Sequence, residues 1–349
     1  MEGIIQTKNL TKRYGDKVAV NRLELSIEEG EVFGLLGPNG AGKTTTILML
    51  LGLTEPYEGV AMIQGINCTR HPVEVKKMVG YLPDNVGFYP DMTGRENLRF
   101  TGRLNGLSGA ALEERIDRLL ERVGMTRDAD RKTSGYSKGM KQRLGIADVL
   151  MKDPKIIIMD EPTLGIDSEG MRELLELISQ LSKVDGRTVL ISSHQLYQVQ
   201  QICDRVGIFV GGSLVACGRI EELGRQVEKE GSCILELKTL PQDDDVAQII
   251  GQLEGVESIE TENERMIIRS GWDIRADVTA SLGRNGYTIQ HLHQRGSDLD
   301  EIYHRYFEKA GQMDENIGTK KKNGKRRFLF AGKNKTVPKA ETAKQDTGV

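Results

Sequence analysis

The chain has 349 residues, of which 38% are hydrophobic and 28% charged, enough material for two globular domains with real cores. Its longest apolar runs, such as 47–53 and 156–159, are too short to span a bilayer. No basic segment followed by an apolar one opens it, so a chain that stays in the cytoplasm is expected. The formal net charge of −3 is uneven: Gly311 to Val349 holds ten Lys or Arg against four Asp or Glu, leaving about −9 on the body, which does not suit a nucleic-acid binder.

In chain order, Met1 to about Leu223 alternates short apolar runs with helical patterns, as in an α/β domain with a mostly parallel sheet. Glu31 to Leu36 reads as a strand covered on both faces. It is followed at once by Gly37, Pro38, Asn39, Gly40, Ala41, Gly42, Lys43 and Thr44, a G-x-x-x-x-G-K-[ST] phosphate loop, and then by a helix entered at Thr45. The glycines permit the tight turn, and backbone N–H groups and the helix start face the phosphates. Lys43 can reach the β- and γ-phosphates, and the Thr44 hydroxyl can ligate Mg²⁺. Alone, this segment indicates only a nucleotide triphosphatase.

Between about Asp84 and Thr133 the sequence turns charged and helical, with 110–123 the clearest amphipathic stretch, as for a helical insertion in the α/β core. In Tyr136-Ser137-Lys138-Gly139-Met140, Ser137 can cap a helix running to Leu150, and the backbone at Gly139 is open to an anion. Lys155 to Met159 is a second buried strand, ending in Asp160, placed for the magnesium shell, and Glu161, placed to polarise the attacking water. A third runs from Thr188 into Ser193 and His194. Ligands of parallel sheets gather outside the carboxyl ends of the strands, so these three strand ends converge on one γ-phosphate.

Further on, a β-α-β-β-α-β order between about Ser232 and Ala310 predicts a small ferredoxin-like α+β domain, followed by a helix over Leu299–Phe307. After Gly311 the basic tail, with Lys320-Lys321-Lys322 and Lys325-Arg326-Arg327, reads as disordered. It is either a solvated tail or an attachment to anionic headgroups, with Phe328-Leu329-Phe330 dipping into the interface. Cys68, Cys203, Cys217 and Cys233 lack metal or disulfide spacing and are expected as reduced thiols. His291 and His293 alternate on a predicted strand, with no Cys, Asp or Glu at ligand spacing to complete a metal site. Trp272 is expected to pack in, or on the surface of, the small domain.

The motifs of residues 1–223 resemble the nucleotide-binding domain of the ABC family. That resemblance implies ATP and Mg²⁺ as ligands, with Asp84 offering a further oxygen to the metal and Tyr14 stacking on adenine. It implies that Ser137 and Gly139 of one chain touch the γ-phosphate bound by another, and that Gly165-Ile166-Asp167 is the loop between the two sites. A homodimer or a paralogous ATPase partner follows, as do separate transmembrane permease subunits moved through the helical insertion, and peripheral placement on the inner face of the cell membrane. Two departures stand out. Tyr136-Ser137-Lys138-Gly139-Met140 replaces the usual L-S-G-G-Q, and Asp84 stands where glutamine is common; both variants are similar to the exporter branch. Tyr81 to Pro90 with Thr93 to Leu98 resembles the ATPase subunit of copper-maturation transporters for nitrous-oxide reductase. The alternatives are a soluble ABC ATPase of translation or DNA repair, and a ligand sensor fused to a regulatory NTPase. One cassette without a long coiled coil argues against the former, and the absence of a convincing pocket signal in 232–310 against the latter.

Overall fold

The computed structural model describes residues 3–196, 200–229, 233–262, 265–295 and 302, 303 and 306. The chain divides into Met1–Phe307 and Glu308–Val349; the second unit, with the basic tail, lies outside the described residues. Strands β1 (Ile5–Tyr14) and β2 (Lys17–Ile27) form a hairpin around Gly15. Then come β3 (Val32–Leu36), helix α1 (Lys43–Leu50), β4 (Glu58–Ile63), β5 (Ile66–Asn67), α2 (Pro72–Met78) and β6 (Val79–Leu82). The insertion follows as α3 (Gly94–Leu104) and α4 (Gly109–Arg122), and α5 (Lys138–Leu150) leads back to β7 (Ile156–Asp160). Helix α6 (Ser168–Lys183), β8 (Thr188–Ser193), β9 (Arg205–Val210), β10 (Ser213–Gly218) and α7 (Ile220–Lys229) complete this part.

The central sheet runs β10-β9-β3-β8-β7-β6, with all neighbours parallel except β10 against β9. Its central strands β3, β7 and β8 are buried along their whole length because both faces are covered. Ile157 and Met159 of β7 pack with the insertion, α5 and α6. Ile156 and Ile158 point the other way, against α1 and a second sheet. That second sheet, β2-β1-β4-β5, is antiparallel throughout, whereas the sequence reading expected one mostly parallel sheet. The signal lay in β2, where buried Leu23, Leu25 and Ile27 alternate with exposed residues, the period of a strand covered on one face.

Local chemistry sets the helix starts nearest the site. Thr93 closes a capping box with Glu96 at the head of α3, and Ser137 accepts the Met140 N–H at 3.2 Å to start α5. Asp167 accepts the Gly170 N–H at 2.9 Å to start α6. Each side chain satisfies a first-turn donor that the helix cannot.

C-terminal to this lie β11 (Cys233–Leu240), α8 (Asp244–Gly251), β12 (Val256–Glu262), β13 (Arg265–Ser270), α9 (Arg275–Arg284) and β14 (Thr288–Arg295). Their sheet is antiparallel, in the order β12-β13-β11-β14. Leu235 and Leu237 face Val246, Ile250, Val278 and Leu282 of the two helices in a separate core. Trp272 is half-exposed beside Gly255. Of the helix expected over 299–307, only 302, 303 and 306 are described; all are helical, and Ile302 is buried with Leu36, Leu196 and Leu223.

Candidate functional site

The phosphate loop joins the end of β3 to the start of α1. Gly40 and Gly42 hold φ of +81° and +111°, in the region open to glycine, and a Cβ at Gly42 would stand 2.5 Å from the Ala19 carbonyl oxygen. No side chain caps α1, so its first-turn N–H groups are left for an anion. The Lys43 ammonium, 5% exposed, donates to the carbonyl oxygens of Gly37 at 2.7 Å and Pro38 at 3.3 Å. It also lies 3.3 Å from Glu161 Oε1. The Lys43 ammonium is thus tied to its own loop, with the Glu161 carboxylate as counter-ion.

Glu161 sits one residue beyond β7 with φ +49°, left-handed backbone that costs a non-glycine residue about 1–2 kcal/mol. Its N–H donates to the Ser192 carbonyl at 3.1 Å and to Ser192 Oγ at 3.3 Å. Its Oε2 pairs with His194 Nδ1 at 2.8 Å, while Oε1 is buried with no hydrogen-bond partner. Ser192 Oγ donates in turn to Asp160 Oδ1, and Asp160 is 4% exposed. The structure therefore brings Lys43, Asp160, Glu161 and His194 together at the carboxyl ends of β3, β7 and β8.

They share a cleft of about 460 Å³ with Tyr14, Asn39, Gly40, Gly42, Thr44, Thr45 and Asp84. Gly37, Pro38 and Ala41 shape the loop without lining the cleft. Lys17, Ala19 and Leu164 line it without having been read from the sequence; the first two lie just past the turn that carries Tyr14. The Tyr14 ring is half-exposed, with Lys12 Nζ 5.1 Å from its centroid. Burial, reinforced by the charges of Asp160 and Asp84, pushes the Tyr81 phenol up to about 12. Also unforeseen is buried Gln142 of α5, whose side-chain amide donates to the Asp84 carbonyl at 3.1 Å.

Ser137 and Gly139 are not in this cleft. They line another, of about 450 Å³, with Gly165, Ile166 and Asp167. His291 and His293 do share a face, their ring centroids 6.1 Å apart. Sequence spacing missed their acidic neighbour, Glu236 on β11, whose Oε2 is 3.7 Å from His291 Nε2. Among the described residues no group of three His, Cys, Asp or Glu is arranged to hold a metal ion. The four cysteines form no disulfide.

A family described as "ABC transporter" matches residues 20–164. The linearmycin resistance ATP-binding protein LnrL of Bacillus subtilis is 40% identical over 220 residues, 63% of this chain and 70% of that protein. The Nod factor export ATP-binding protein I of Cupriavidus metallidurans is 39% identical over 233 residues, 67% of this chain and 76% of that protein. Among solved structures, the dimeric post-hydrolysis state of the ATP-binding cassette MJ0796 bound to ADP and Pi superposes with a TM-score of 0.57. It is 27% identical and covers 62% of this chain and 98% of its own.

Proposed function

The chain belongs to the ABC transporter family as an ATP-binding subunit that couples ATP hydrolysis to transport, and from that premise we propose how its residues divide the work. The phosphate loop and the first turn of α1, from Gly37 to Thr45, wrap the phosphates, with Lys43 turning from Gly37 and Pro38 to the β- and γ-oxygens. Tyr14 stacks on adenine. Thr44, Asp160 and Asp84 present oxygens for Mg²⁺, which, when bound, offsets phosphate charge. These residues fit the ion: a hydroxyl and two carboxylates line one cleft with the lysine. Glu161 accepts the proton of the attacking water, and His194 holds the carboxylate through Oε2, leaving Oε1 for that water. The observation that carries this reading is the chain Lys43–Glu161–His194, in which His194 holds Oε2 while buried Oε1 makes no hydrogen bond and has only the Lys43 ammonium beside it at 3.3 Å.

Because Ser137 and Gly139 line a different cleft from Lys43, each chain supplies half of two sites, and a second copy or a paralogue completes them. The hydrogen bond from Gln142 to the Asp84 backbone links the start of α5 to the insertion that would move the permease subunits. Export is the proposed direction, supported by the name of the Nod factor relative; neither relative is named for copper, and the cargo reading goes no further. The C-terminal sheet, read as ferredoxin-like from its strand order and two helices on one face, is proposed as an accessory domain over 232–310, with the cassette over 1–223. No described helix is long and apolar enough to cross a membrane. Placement on the inner membrane face is proposed through the permease, with the basic tail as a second contact.

The test is the mass of the Glu161→Gln variant by light scattering, with and without ATP and Mg²⁺, beside the ATPase rate of the native chain. The variant is expected to dimerise only with ATP and to hydrolyse at least ~10²-fold more slowly. A variant that stays monomeric and still hydrolyses ATP overturns both the base and the composite site. An inactive monomer would indicate a paralogous partner.

A further inference from the structure

Helix α4 sorts its charges. Glu113 and Asp117 turn towards α3, where Arg99 holds Glu113 at 2.6 Å and Arg95 holds Asp117 at 2.6 Å. Arg115, Arg118 and Arg122, spaced three and four residues apart, share another face. That face borders a pocket of about 210 Å³, which Arg187, from the turn before β8, also lines. Four guanidinium groups thus line one small pocket, and Asp153 is the carboxylate among its lining residues.

Two of the four are already fixed. Arg187 spans Asp153 at 2.6 Å and Asp185 at 3.2 Å, and donates to the Pro154 carbonyl. Arg122 takes Asp185 at 2.6 Å. Asp185 therefore serves two cations and holds their planes in place. The other two are unfinished. Arg115 donates through Nη2 to the Leu150 carbonyl at 2.9 Å, yet its Nε–H is buried without a partner. Arg118 has no ion-pair or hydrogen-bond partner among the described residues, although Glu114 and Glu121 lie one turn away on the same helix. A buried N–H with nothing to donate to costs about 1–3 kcal/mol, and like charges in one pocket repel.

We propose that this pocket is a binding site for a phosphate-bearing anion, distinct from the nucleotide cleft and lined by none of its residues. The chemistry favours phosphate. Planar guanidinium forks match a tetrahedral oxyanion through paired hydrogen bonds, and the pocket has room for one such group with its substituent. The phosphate can come from a free solute or from a lipid headgroup. Arg115 and Arg118 supply the open donors, while Arg122 and Arg187 supply a fixed positive wall.

The experiment uses the full chain carrying Lys43→Ala, so that the phosphate loop does not compete. Inorganic pyrophosphate is titrated calorimetrically, and flotation with phosphatidylglycerol vesicles is measured in parallel. Each is repeated with Arg118→Gln and Arg118→Lys added. Arg118 is exposed and has no partner among the described residues, so neither change is expected to disturb the fold, and melting temperature checks this. The expected result is a single saturable site whose affinity falls about tenfold with Arg118→Gln, one charge-assisted contact being of that size, and partly returns with Arg118→Lys. Arg118-dependent binding of pyrophosphate identifies a free phosphate ligand; Arg118-dependent flotation without pyrophosphate binding identifies a headgroup. If neither probe binds, or Arg118→Gln leaves both unchanged, the proposal is overturned; the basic tail contributes equally to all variants and cannot produce the difference.

Discussion

Ser192→Ala tests whether the site is held by the hydrogen bonds described. Ser192 is fully buried, and its hydroxyl is the donor to Asp160, a carboxylate 4% exposed. Alanine fits the space but removes the donor, leaving a buried carboxylate oxygen short of one bond. Such a loss costs about 1–3 kcal/mol, towards the upper end for a charged acceptor. The Glu161 N–H keeps its bond to the Ser192 carbonyl at 3.1 Å, so the loss of its 3.3 Å contact with Oγ adds little. Urea unfolding without nucleotide is the assay, and the midpoint is expected to fall at unchanged m-value. A double-mutant cycle locates the cause. Asp160→Asn removes the charge that needs the donor, so Ser192→Ala on that background is expected to cost less, with a coupling of about 1 kcal/mol or more. If Ser192→Ala is as stable as the native chain, or if the two changes add, the hydroxyl does not support Asp160 and the account fails.

Gly42→Ala would put a methyl group 2.5 Å from the Ala19 carbonyl oxygen at φ +111°, so the loop must shift; ATP affinity, read by titration, is expected to fall at least about tenfold. Tyr81 adds a dependence on alkaline pH: its phenol is raised from 10.0 to about 12 by burial and the Asp160 and Asp84 charges, so its contribution is whole below pH 10 and is lost as pH rises towards 12. Tyr81→Phe should therefore lose less stability than the native chain between pH 10 and 12 in denaturant titrations, and equal losses would remove burial as the cause. At Glu161, φ +49° penalises any side chain. Glu161→Gly is expected to unfold at a denaturant midpoint no lower than that of Glu161→Ala, by up to about 1 kcal/mol once the unfolded-state entropy of glycine is counted.

The parts of the site legible in the sequence are those where a contiguous segment fixes both identity and geometry. The phosphate loop needs its glycines, its lysine and a strand before it, and all of these are adjacent. Asp160, Glu161 and His194 were placed because unbroken apolar runs mark central parallel strands, and such strands gather their ligands at one end. What escaped depends on register between distant segments. Asp160 stands opposite Ser192 in the β7–β8 ladder, and a shift of one residue would have turned the hydroxyl to the other face. Gln142 reaches a backbone oxygen at Asp84, a contact that no side-chain pattern encodes. The antiparallel sheet escaped because its strands are half-polar, and their alternation is weaker than the apolar runs beside them.

Glu161 joins these two kinds of information. Its identity is plain from the acidic end of a buried strand, but its left-handed backbone is not, since nothing in Asp160-Glu161-Pro162 calls for it. Two features hold the strained residue: Ser192, which takes its N–H through the carbonyl and Oγ, and His194, which fixes Oε2. Both come from β8 and the residue just after it, so one strand fixes the backbone of Glu161 and one of its two carboxylate oxygens. A change on β8 that moves Ser192 and His194 together would let the backbone relax towards the ordinary right-handed region and swing the carboxylate off Lys43. The strain is thus informative about the proposed role: it persists because the neighbouring strand over-determines the residue, and it sets the carboxylate oxygen that makes no hydrogen bond 3.3 Å from the Lys43 ammonium.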